Sequence, residues 1–529
     1  MFAFAFPPFP TGVLAAFAFV PLLIVLAPGE SLAQSFRSAY LAFLIENAVA
    51  LMWISGLTHS RDPYLLASGI AVVLVHPLLM TIPVVAFAAI RRQLGLRVGL
   101  FSFPFLWVAF EYSHSITEFA FPWLLLGNTQ TYDLPAIQFA AITGAYGVSF
   151  WLLWINVAAY VLFEKLALGT WTVRSWRSVG LGVGVLALYL LPKLYGGALM
   201  AGEDSHGWTH PVKVGMVQPN IDPFEKWSEH RSEQLAVLDG LTNELAAHDV
   251  DVIVWPETAM PFYVLAPQNL YILEQLRAKV DSMNTALLTG IPDVHYYRQD
   301  EKIPTSSKVI EATGQRYDTF NSSMLVQPHS REIQKYAKIR LVPFAERVPY
   351  LEFYPFLETL QWNLGLGGWG IGTDTTVFQL RLRDSATVTF SNLICYESIY
   401  PGFVAEFVRK GAQFLTIVTN DSWWGNLQGP YQHQQYAVLR AVENRRWIAR
   451  CANGGISCLI DPWGRVVAPT KMFTRTVLSA AIEARSERTF YAQHGDVFAQ
   501  GCLMTSGLLL AAALGQKLRV FIRTRSEIA

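Results

Sequence analysis

Apolar residues are distributed unevenly along the chain. Residues 1–197 consist mainly of long apolar runs, 198–498 alternate short apolar runs with amphipathic segments, and 499–529 form one more apolar run with a basic end. A membrane-spanning helix needs about 20 mostly apolar residues. This pattern predicts N-terminal transmembrane helices (1–197), a globular domain (198–498) and a C-terminal transmembrane helix with a basic tail (499–529). The seven predicted spans are 10–28, 36–57, 64–90, 98–114, 136–162, 179–197 and 500–516.

Within the globular segment, short continuous apolar runs predict buried strands, and segments with a 3.6-residue apolar period predict helices. The predicted strands are 212–218, 250–256, 285–291, 322–327, 386–395 and 413–420, with paired strands across 447–468. The predicted helices are 229–247, 266–283, 401–410 and 433–446. Continuous apolar strands between amphipathic helices indicate a layered α/β domain with covered sheets.

Basic residues indicate how the predicted spans are oriented. Lys and Arg cluster in 91–97, 163–178 and 517–525, whereas 115–135 contains neither. Short segments rich in Lys and Arg remain in the cytoplasm. The globular domain is therefore expected on the opposite side of the membrane, tethered at both ends.

Composition agrees with a membrane protein and excludes one class of partner. The 529 residues are 52% hydrophobic and only 15% charged, and the mean hydropathy is +0.30. The 40 basic and 40 acidic residues balance, so no global positive charge suggests nucleic acid binding.

Four cysteines lie in a chain whose globular domain is expected to face outward, which raises the question of disulfides. Cys451 and Cys458 flank a segment that could form a tight hairpin. Either the two are bridged, or they are two separate buried thiols.

Three strands are predicted to end in side chains that carry chemistry. Glu257 follows the strand 250–256, and Cys395 ends the strand 386–395. Lys338 follows the two residues "YA" (336–337) at the end of a third stretch. Each alone is usually structural: a carboxylate in a turn, a solvated amine and an inert buried thiol. Together they form a working set, because a carboxylate can accept the thiol proton, an ammonium can stabilise thiolate and oxyanion, and sulfur can carry an acyl group.

The order and the amino-acid sequences of these segments resemble the nitrilase superfamily from about residue 212 to 485. The resemblance includes "VQPNI", "TNDSWWG" (419–425) and "DPWGRV" (461–466). It implies an α-β-β-α sandwich with Glu257 as general base, Lys338 as oxyanion stabiliser and Cys395 as nucleophile.

The membrane half resembles one membrane-embedded branch of that superfamily, the apolipoprotein N-acyltransferases. "FPWLLLGNTQ" (121–130) and "GAYGVSF" (144–150) carry this likeness, and in the globular domain "LVPFAERVP" (341–349) is similar to a segment of the same family. The resemblance implies an α-helical membrane bundle joined to the nitrilase-like domain. By position it also implies that Trp227, Glu346, Tyr396 and Glu397 support the site or bind substrate.

The resemblance implies a function in lipoprotein maturation at the bacterial inner membrane, with the catalytic domain on the periplasmic side. An acyl chain would pass from a phospholipid, through a cysteine thioester, to the α-amino group of a diacylglyceryl-cysteine. We expect a monomer without cofactor or metal. Two alternatives remain open: a membrane-tethered carbon–nitrogen hydrolase acting on a small amide or nitrile, and a transporter or binding protein with an inactive external domain.

Two apolar segments of the globular domain, 260–267 and 351–370, are predicted loops. Exposed apolar loops suggest contact with a membrane or a substrate groove. The alternative is that they pack against the rest of the protein.

Overall fold

The computed structural model describes residues 1–26, 29, 31–56, 63–202, 208–226, 231–354, 356–357 and 368–528. The helices in chain order are α1 Val20–Leu26, α2 Leu32–Ala50, α3 Pro63–Leu94, α4 Leu96–Ser115, α5 Leu134–Ile137, α6 Ala140–Ala167, α7 Trp176–Ala201, α8 Arg231–Ala246, α9 Leu270–Met283, α10 Pro401–Arg409, α11 Gln428–Asn444, α12 Phe490–His494 and α13 Val497–Ile528. The strands are β1 Trp208–Gln218, β2 Val252–Val254, β3 Ala286–Tyr296, β4 Lys308–Val309, β5 Arg316–Val326, β6 Ile333–Ala337, β7 Phe378–Arg381, β8 Thr387–Ile394, β9 Phe414–Thr419, β10 Ile448–Ala452, β11 Cys458–Ile460, β12 Val466–Val467 and β13 Thr476–Arg485.

The chain divides into two compact units. The membrane unit comprises Met1–Leu57, Leu65–Glu203 and His494–Ala529, and the globular unit comprises Thr58–Tyr64 and Asp204–Gln493.

Among the described residues, four helices of the membrane unit are long and apolar enough to cross a bilayer: Leu65–Leu94, Ala140–Ala167, Trp176–Ala201 and Val497–Glu527. They coincide with four of the seven predicted spans. The predictions 36–57 and 98–114 fall on α2 and α4, which are helical but are not among these four.

The first predicted span, 10–28, contains a short 3₁₀ helix, Gly12–Ala16, and the seven-residue α1. A helix of that length rises only about 10 Å, far less than the bilayer core. Asn156 of α6 satisfies backbone groups of this irregular segment: its side chain donates to the carbonyl of Ala15 at 2.8 Å and accepts from the amide of Phe19 at 2.8 Å. Such pairing is required for non-helical backbone that is shielded from water.

The globular unit contains two sheets. The first has the strand order β13-β1-β2-β3-β5-β4, with β6 also paired to β5, and the second has the order β12-β11-β10-β9-β8-β7. The pairs β1–β2, β2–β3, β8–β9 and β9–β10 are parallel, and the remaining pairs are antiparallel.

Helices cover the outer faces of the two sheets and complete the predicted α-β-β-α sandwich. α8 and α9 bury Leu238, Leu245, Leu273 and Val280 in one cluster with residues of the first sheet. α10 and α11 contact each other and the second sheet. Between the sheets, the Cys451 thiol lies 3.2 and 3.3 Å from two carbonyl oxygens of the first sheet.

Two alternatives from the sequence are decided by packing. All four cysteines are free and buried, so Cys451 and Cys458 are separate thiols. Met260, Phe262 and Val264 belong to the cluster under α8 and α9, so segment 260–267 packs against the rest of the globular unit. Its apolar residues are buried because the connection from β2 to α9 runs beneath the helices.

Candidate active site

Three strand ends bring the predicted catalytic side chains together. Glu257 lies three residues after β2, Lys338 directly after β6 and Cys395 directly after β8. The Lys338 ammonium is 3.5 Å from Oε1 of Glu257, and the charges of both groups act on the Cys395 thiol. The first sheet thus supplies the carboxylate predicted to be the base and the ammonium, and the second sheet supplies the thiol.

Lys338 lies between two carboxylates. Its Nζ donates to Oε1 of Glu346 at 2.8 Å, a shorter contact than that to Glu257. Only 1% of Lys338 is exposed. Burial alone would lower the pKa of Lys338, but the carboxylates of Glu346 and Glu257 raise it above its ordinary value. The side chain is therefore a permanent ammonium.

Cys395 occupies a strained turn between β8 and the 3₁₀ helix Cys395–Ile399. Its φ of 54° lies in the left-handed region that residues with a Cβ rarely adopt. Strain of this kind clusters at functional sites, where the surrounding structure holds it in place. The turn leaves 8% of the residue exposed, although its neighbours are nearly fully buried.

The Cys395 thiol is protonated at rest. Burial and the Glu257 carboxylate raise its pKa well above the ordinary thiol value, whereas Lys338 and a hydrogen bond from Thr419 act in the opposite direction. Lys338 thus favours thiolate as expected, but burial and Glu257 outweigh it. The thiol must lose its proton when substrate binds. Among the carboxylates that raise the pKa of Cys395, Glu257 has the largest effect.

Two residues that the sequence did not single out hold Glu257. Nδ2 of Asn321, in β5, donates to Oε1 of Glu257 at 2.8 Å, and the backbone amide of Asn420 donates to Oε2 at 3.1 Å. Asn321 also lies 3.4 Å from Oε1 of Glu346. The base is thus oriented from both sheets.

A third missed residue, Lys226, lies beneath the same turn. Its buried ammonium donates to the carbonyl of Glu257 at 2.8 Å and to the hydroxyl of Thr258 at 2.6 Å. Burial lowers the pKa of Lys226 to about 8. The predicted supporting residue Trp227 follows Lys226 and lies outside the described residues.

Glu397 ties the cysteine segment to the lysine segment. Its Oε2 accepts from the amide of Ile394 at 2.8 Å, while Oε1 accepts from the hydroxyl of Tyr336 at 2.6 Å and from the amides of Ile339 and Arg340 at 2.7 and 3.2 Å. It is fully buried. Glu397 thus links the segment that precedes Cys395 to the segment that follows β6.

Tyr396, the residue after the nucleophile, is also buried. Its hydroxyl hydrogen-bonds that of Tyr400, and the two ring centroids lie 5.4 Å apart. Burial and Tyr400 raise the pKa of Tyr396 well above its ordinary value. The side chain of Tyr396 is therefore neutral and fixed in position beside the sulfur.

One apolar loop does face solvent. Phe353, Tyr354 and Phe356 are 71%, 54% and 71% exposed. They belong to the predicted loop 351–370, of which 355 and 358–367 lie outside the described residues. These aromatic side chains favour the interpretation of a membrane-contacting or substrate-contacting loop.

The arrangement is suited to acyl transfer. A thiol beside a carboxylate can be deprotonated as it attacks a carbonyl, and an ammonium fixed by a second carboxylate can stabilise the oxyanion that forms. The same groups serve hydrolysis or transfer, so the geometry alone leaves the acyl acceptor open.

Comparison with known families assigns both units. The family described as carbon-nitrogen hydrolase matches residues 213–491, more than half of the chain. The family described as apolipoprotein N-acyltransferase N-terminal domain matches residues 1–158.

Individual relatives match along the whole chain. A Chlorobaculum tepidum protein named apolipoprotein N-acyltransferase is 38% identical over 510 residues, which cover 95% of this chain and 92% of that protein. One of the same name from Geobacter metallireducens is 32% identical over 98% of this chain and 94% of its own length. Among solved structures, Nit3 of Saccharomyces cerevisiae, from branch 10 of the nitrilase superfamily, is 16% identical and covers 53% of this chain and 93% of its own, with a TM-score of 0.37.

Proposed function

This chain belongs to the apolipoprotein N-acyltransferase family, and on that premise we propose that it moves an acyl chain from a phospholipid to the N-terminal amine of lipoproteins. The chain is an N-acyltransferase, and its long apolar helices make it an inner membrane protein. The proposed acceptor is the α-amino group of a diacylglyceryl-cysteine.

In the first half-reaction, Glu257 takes the proton from the Cys395 thiol as sulfur attacks an ester carbonyl of the phospholipid. Lys338 stabilises the oxyanion of the tetrahedral intermediate. The ester C–O bond then breaks, the leaving alkoxide takes the proton from Glu257, and lysophospholipid departs. A thioester remains on Cys395.

In the second half-reaction, the neutral α-amine of the acceptor attacks the thioester carbonyl. The C–N bond forms, the C–S bond breaks, and the proton lost by the amine passes through Glu257 to the departing thiolate. An amide and the free thiol result, so the site returns to its starting state.

One observation supports this proposal most directly. The thiol of Cys395 is a buried, protonated nucleophile that interacts with a carboxylate and a permanent ammonium, each fixed by its own hydrogen bonds. Burial protects a thioester from water until an amine arrives, which a transferase requires and a hydrolase does not.

The proposed orientation puts the globular unit on the periplasmic side. The basic segments 91–97 and 163–178 and the C-terminal basic tail are short and rich in Lys and Arg, as cytoplasmic segments are. α7 precedes the globular unit and α13 follows it, so two apolar helices tether that unit to the lipid from which it would draw its donor.

The test is intact mass spectrometry of purified protein after incubation with a phospholipid of defined chains. We expect the mass to rise by one acyl chain and the adduct to disappear when a diacylated lipopeptide is added. Cys395→Ala should give no adduct. Cys458→Ala, which removes another buried thiol, is the matched control and should be acylated like the wild type.

An unchanged adduct on Cys395→Ala would contradict the proposed nucleophile. Loss of the thioester without lipopeptide, or release of ammonia from a small amide in the absence of lipid, would favour the hydrolase alternative.

A further inference from the structure

Arg340 is a cation packed on aromatic rings beside the candidate site. Its guanidinium carbon lies 5.5 Å from the ring centroids of both Tyr400 and Phe403. The residue is half-buried, and its Nε atom is buried without a hydrogen-bond partner. Both rings lie within the range of a cation–π contact, and among the described residues the guanidinium donates no hydrogen bond.

Three buried arginines of the globular unit have carboxylate partners, and a fourth, Arg446, donates to backbone carbonyls instead. Arg347 pairs with Glu352, Arg440 with Glu443 and Arg450 with Asp421, at 2.6 to 2.7 Å. Within the described residues, Arg340 forms no ion pair. An arginine held rigid without an anion is suited to bind one that comes from outside the protein.

The position of Arg340 relative to the reacting groups is fixed by the backbone. It follows Lys338 by two residues, and its amide is bound by Glu397, which also binds the strand end before Cys395. Tyr400, one of its two aromatic supports, is hydrogen-bonded to Tyr396. Burial raises the pKa of Tyr400, and the charges of Arg340 and Lys338 both oppose this. The Arg340 guanidinium and the Lys338 ammonium therefore both act on the hydroxyl of Tyr400.

We propose that Arg340 is a phosphate-binding residue for the acyl donor, and this rests on the proposed function. The donor carries a phosphodiester a few bonds from its ester carbonyls, and a guanidinium fork matches a phosphate through two parallel hydrogen bonds. The proposed acceptor has a thioether where the donor has its phosphate. Arg340 thus serves the first half-reaction alone and lets one site distinguish two lipid substrates.

The two half-reactions separate this role from a structural one. Arg340→Gln should raise KM for phosphatidylethanolamine and phosphatidylglycerol alike by roughly 10-fold or more, the range for a lost charge-assisted hydrogen bond. Acylation by diacylglycerol with the same chains, which lacks phosphate, should be unchanged. Transfer from preformed thioester to a lipopeptide should also be unchanged. Arg340→Lys should restore part of the lost affinity, because charge is kept and the fork is lost.

The matched control is Lys335→Gln. It removes the same charge from β6, but its ammonium is already paired with Asp293 at 2.6 Å, so the kinetics with all donors should match the wild type. An equal loss with phospholipid and diacylglycerol, or no loss with either, would overturn the proposal. A loss confined to one headgroup would assign Arg340 to the headgroup instead and would overturn it too. Failure of the wild type to form any acyl adduct would refute the proposed function itself.

Discussion

The Nε2 atom of His433 lies 3.1 Å from the carbonyl oxygen of Cys395. A carbonyl only accepts, so this contact is a hydrogen bond in the form of the ring that carries a proton on Nε2. On the other side of the ring, Nδ1 is 2.8 Å from Oδ1 of Asp421, and Oδ2 of Asp421 accepts from Arg450 at 2.6 Å. His433, Asp421 and Arg450 are fully buried. The peptide after the nucleophile is therefore held from inside the protein.

Removal of this support should weaken the oxyanion site. We expect the amide of Tyr396, which shares a planar trans peptide with the Cys395 carbonyl that His433 contacts, to donate to the oxyanion together with Lys338. We expect His433→Leu to slow acylation of Cys395 by roughly 100-fold, the cost of one lost oxyanion donor. With a ¹³C-labelled acyl chain, the infrared carbonyl stretch of the thioester should rise in frequency, because the carbonyl is less polarised.

His433→Gln should recover part of both effects, since its amide can donate near the position of Nε2. The control is Tyr436→Phe, one turn further along α11 and equally buried. An unchanged stretch in His433→Leu, with a slower rate, would limit His433 to a role in stability.

The pH dependence of thiol labelling should reveal both charges that act on Cys395. Its pKa is raised, so alkylation should be slow near neutral pH and should accelerate only well above the ordinary thiol pKa. Glu257 raises that pKa and Lys338 lowers it. Glu257→Gln should shift the labelling profile to lower pH and Lys338→Met to higher pH, each by roughly one unit or more. Shifts of the same sign would contradict the assigned arrangement.

Gly290 should be intolerant of a side chain because the base is packed against it. A Cβ at this position would lie 2.4 Å from the amide of Thr258 and 2.8 Å from Cα of Glu257. Gly290→Ala should cost roughly 1–3 kcal/mol of stability and reduce acylation, as measured by thermal unfolding and adduct formation. Gly240→Ala, in α8 with no atom within 4 Å, should instead be neutral or stabilising by about 1 kcal/mol.

The cysteines should all react in the unfolded chain without reductant. Four free thiols per chain are expected when denatured protein is titrated with a thiol reagent. Only two reactive thiols would contradict the separation of Cys451 from Cys458.

The positions of Glu257 and Cys395 were predictable because each follows or ends a continuous apolar run that breaks off at polar residues. Lys338 was selected with them, although it follows the mixed strand β6, which was not among the predicted strands. The residues that hold these side chains in place could not be predicted in this way. Asn321 is one polar residue within an ordinary strand, and its contact with Glu257 exists only because β5 pairs with both β3 and β6.

The contacts of His433, in helix α11, could not be predicted from the sequence for the same reason. Its surroundings, "PYQHQQY", are polar and predict an exposed face, yet α11 is buried. Ser398, Asp421 and Arg450 satisfy the ring, and they come from three other parts of the chain. In the same way, the apolar segment 260–267 resembled a membrane loop because the sequence does not reveal which helices cover it.

The hydrogen bonds at Glu397 separate the position of the nucleophile's strand from the chemistry of the Arg340 side chain. One carboxylate holds both the nucleophile's strand and the backbone of residues 339 and 340, while the Arg340 side chain extends beyond that clamp. Replacement of that side chain should therefore leave these backbone hydrogen bonds in place. Affinity for the donor's phosphate could then be tuned at residue 340 without displacement of the strand end that carries Cys395.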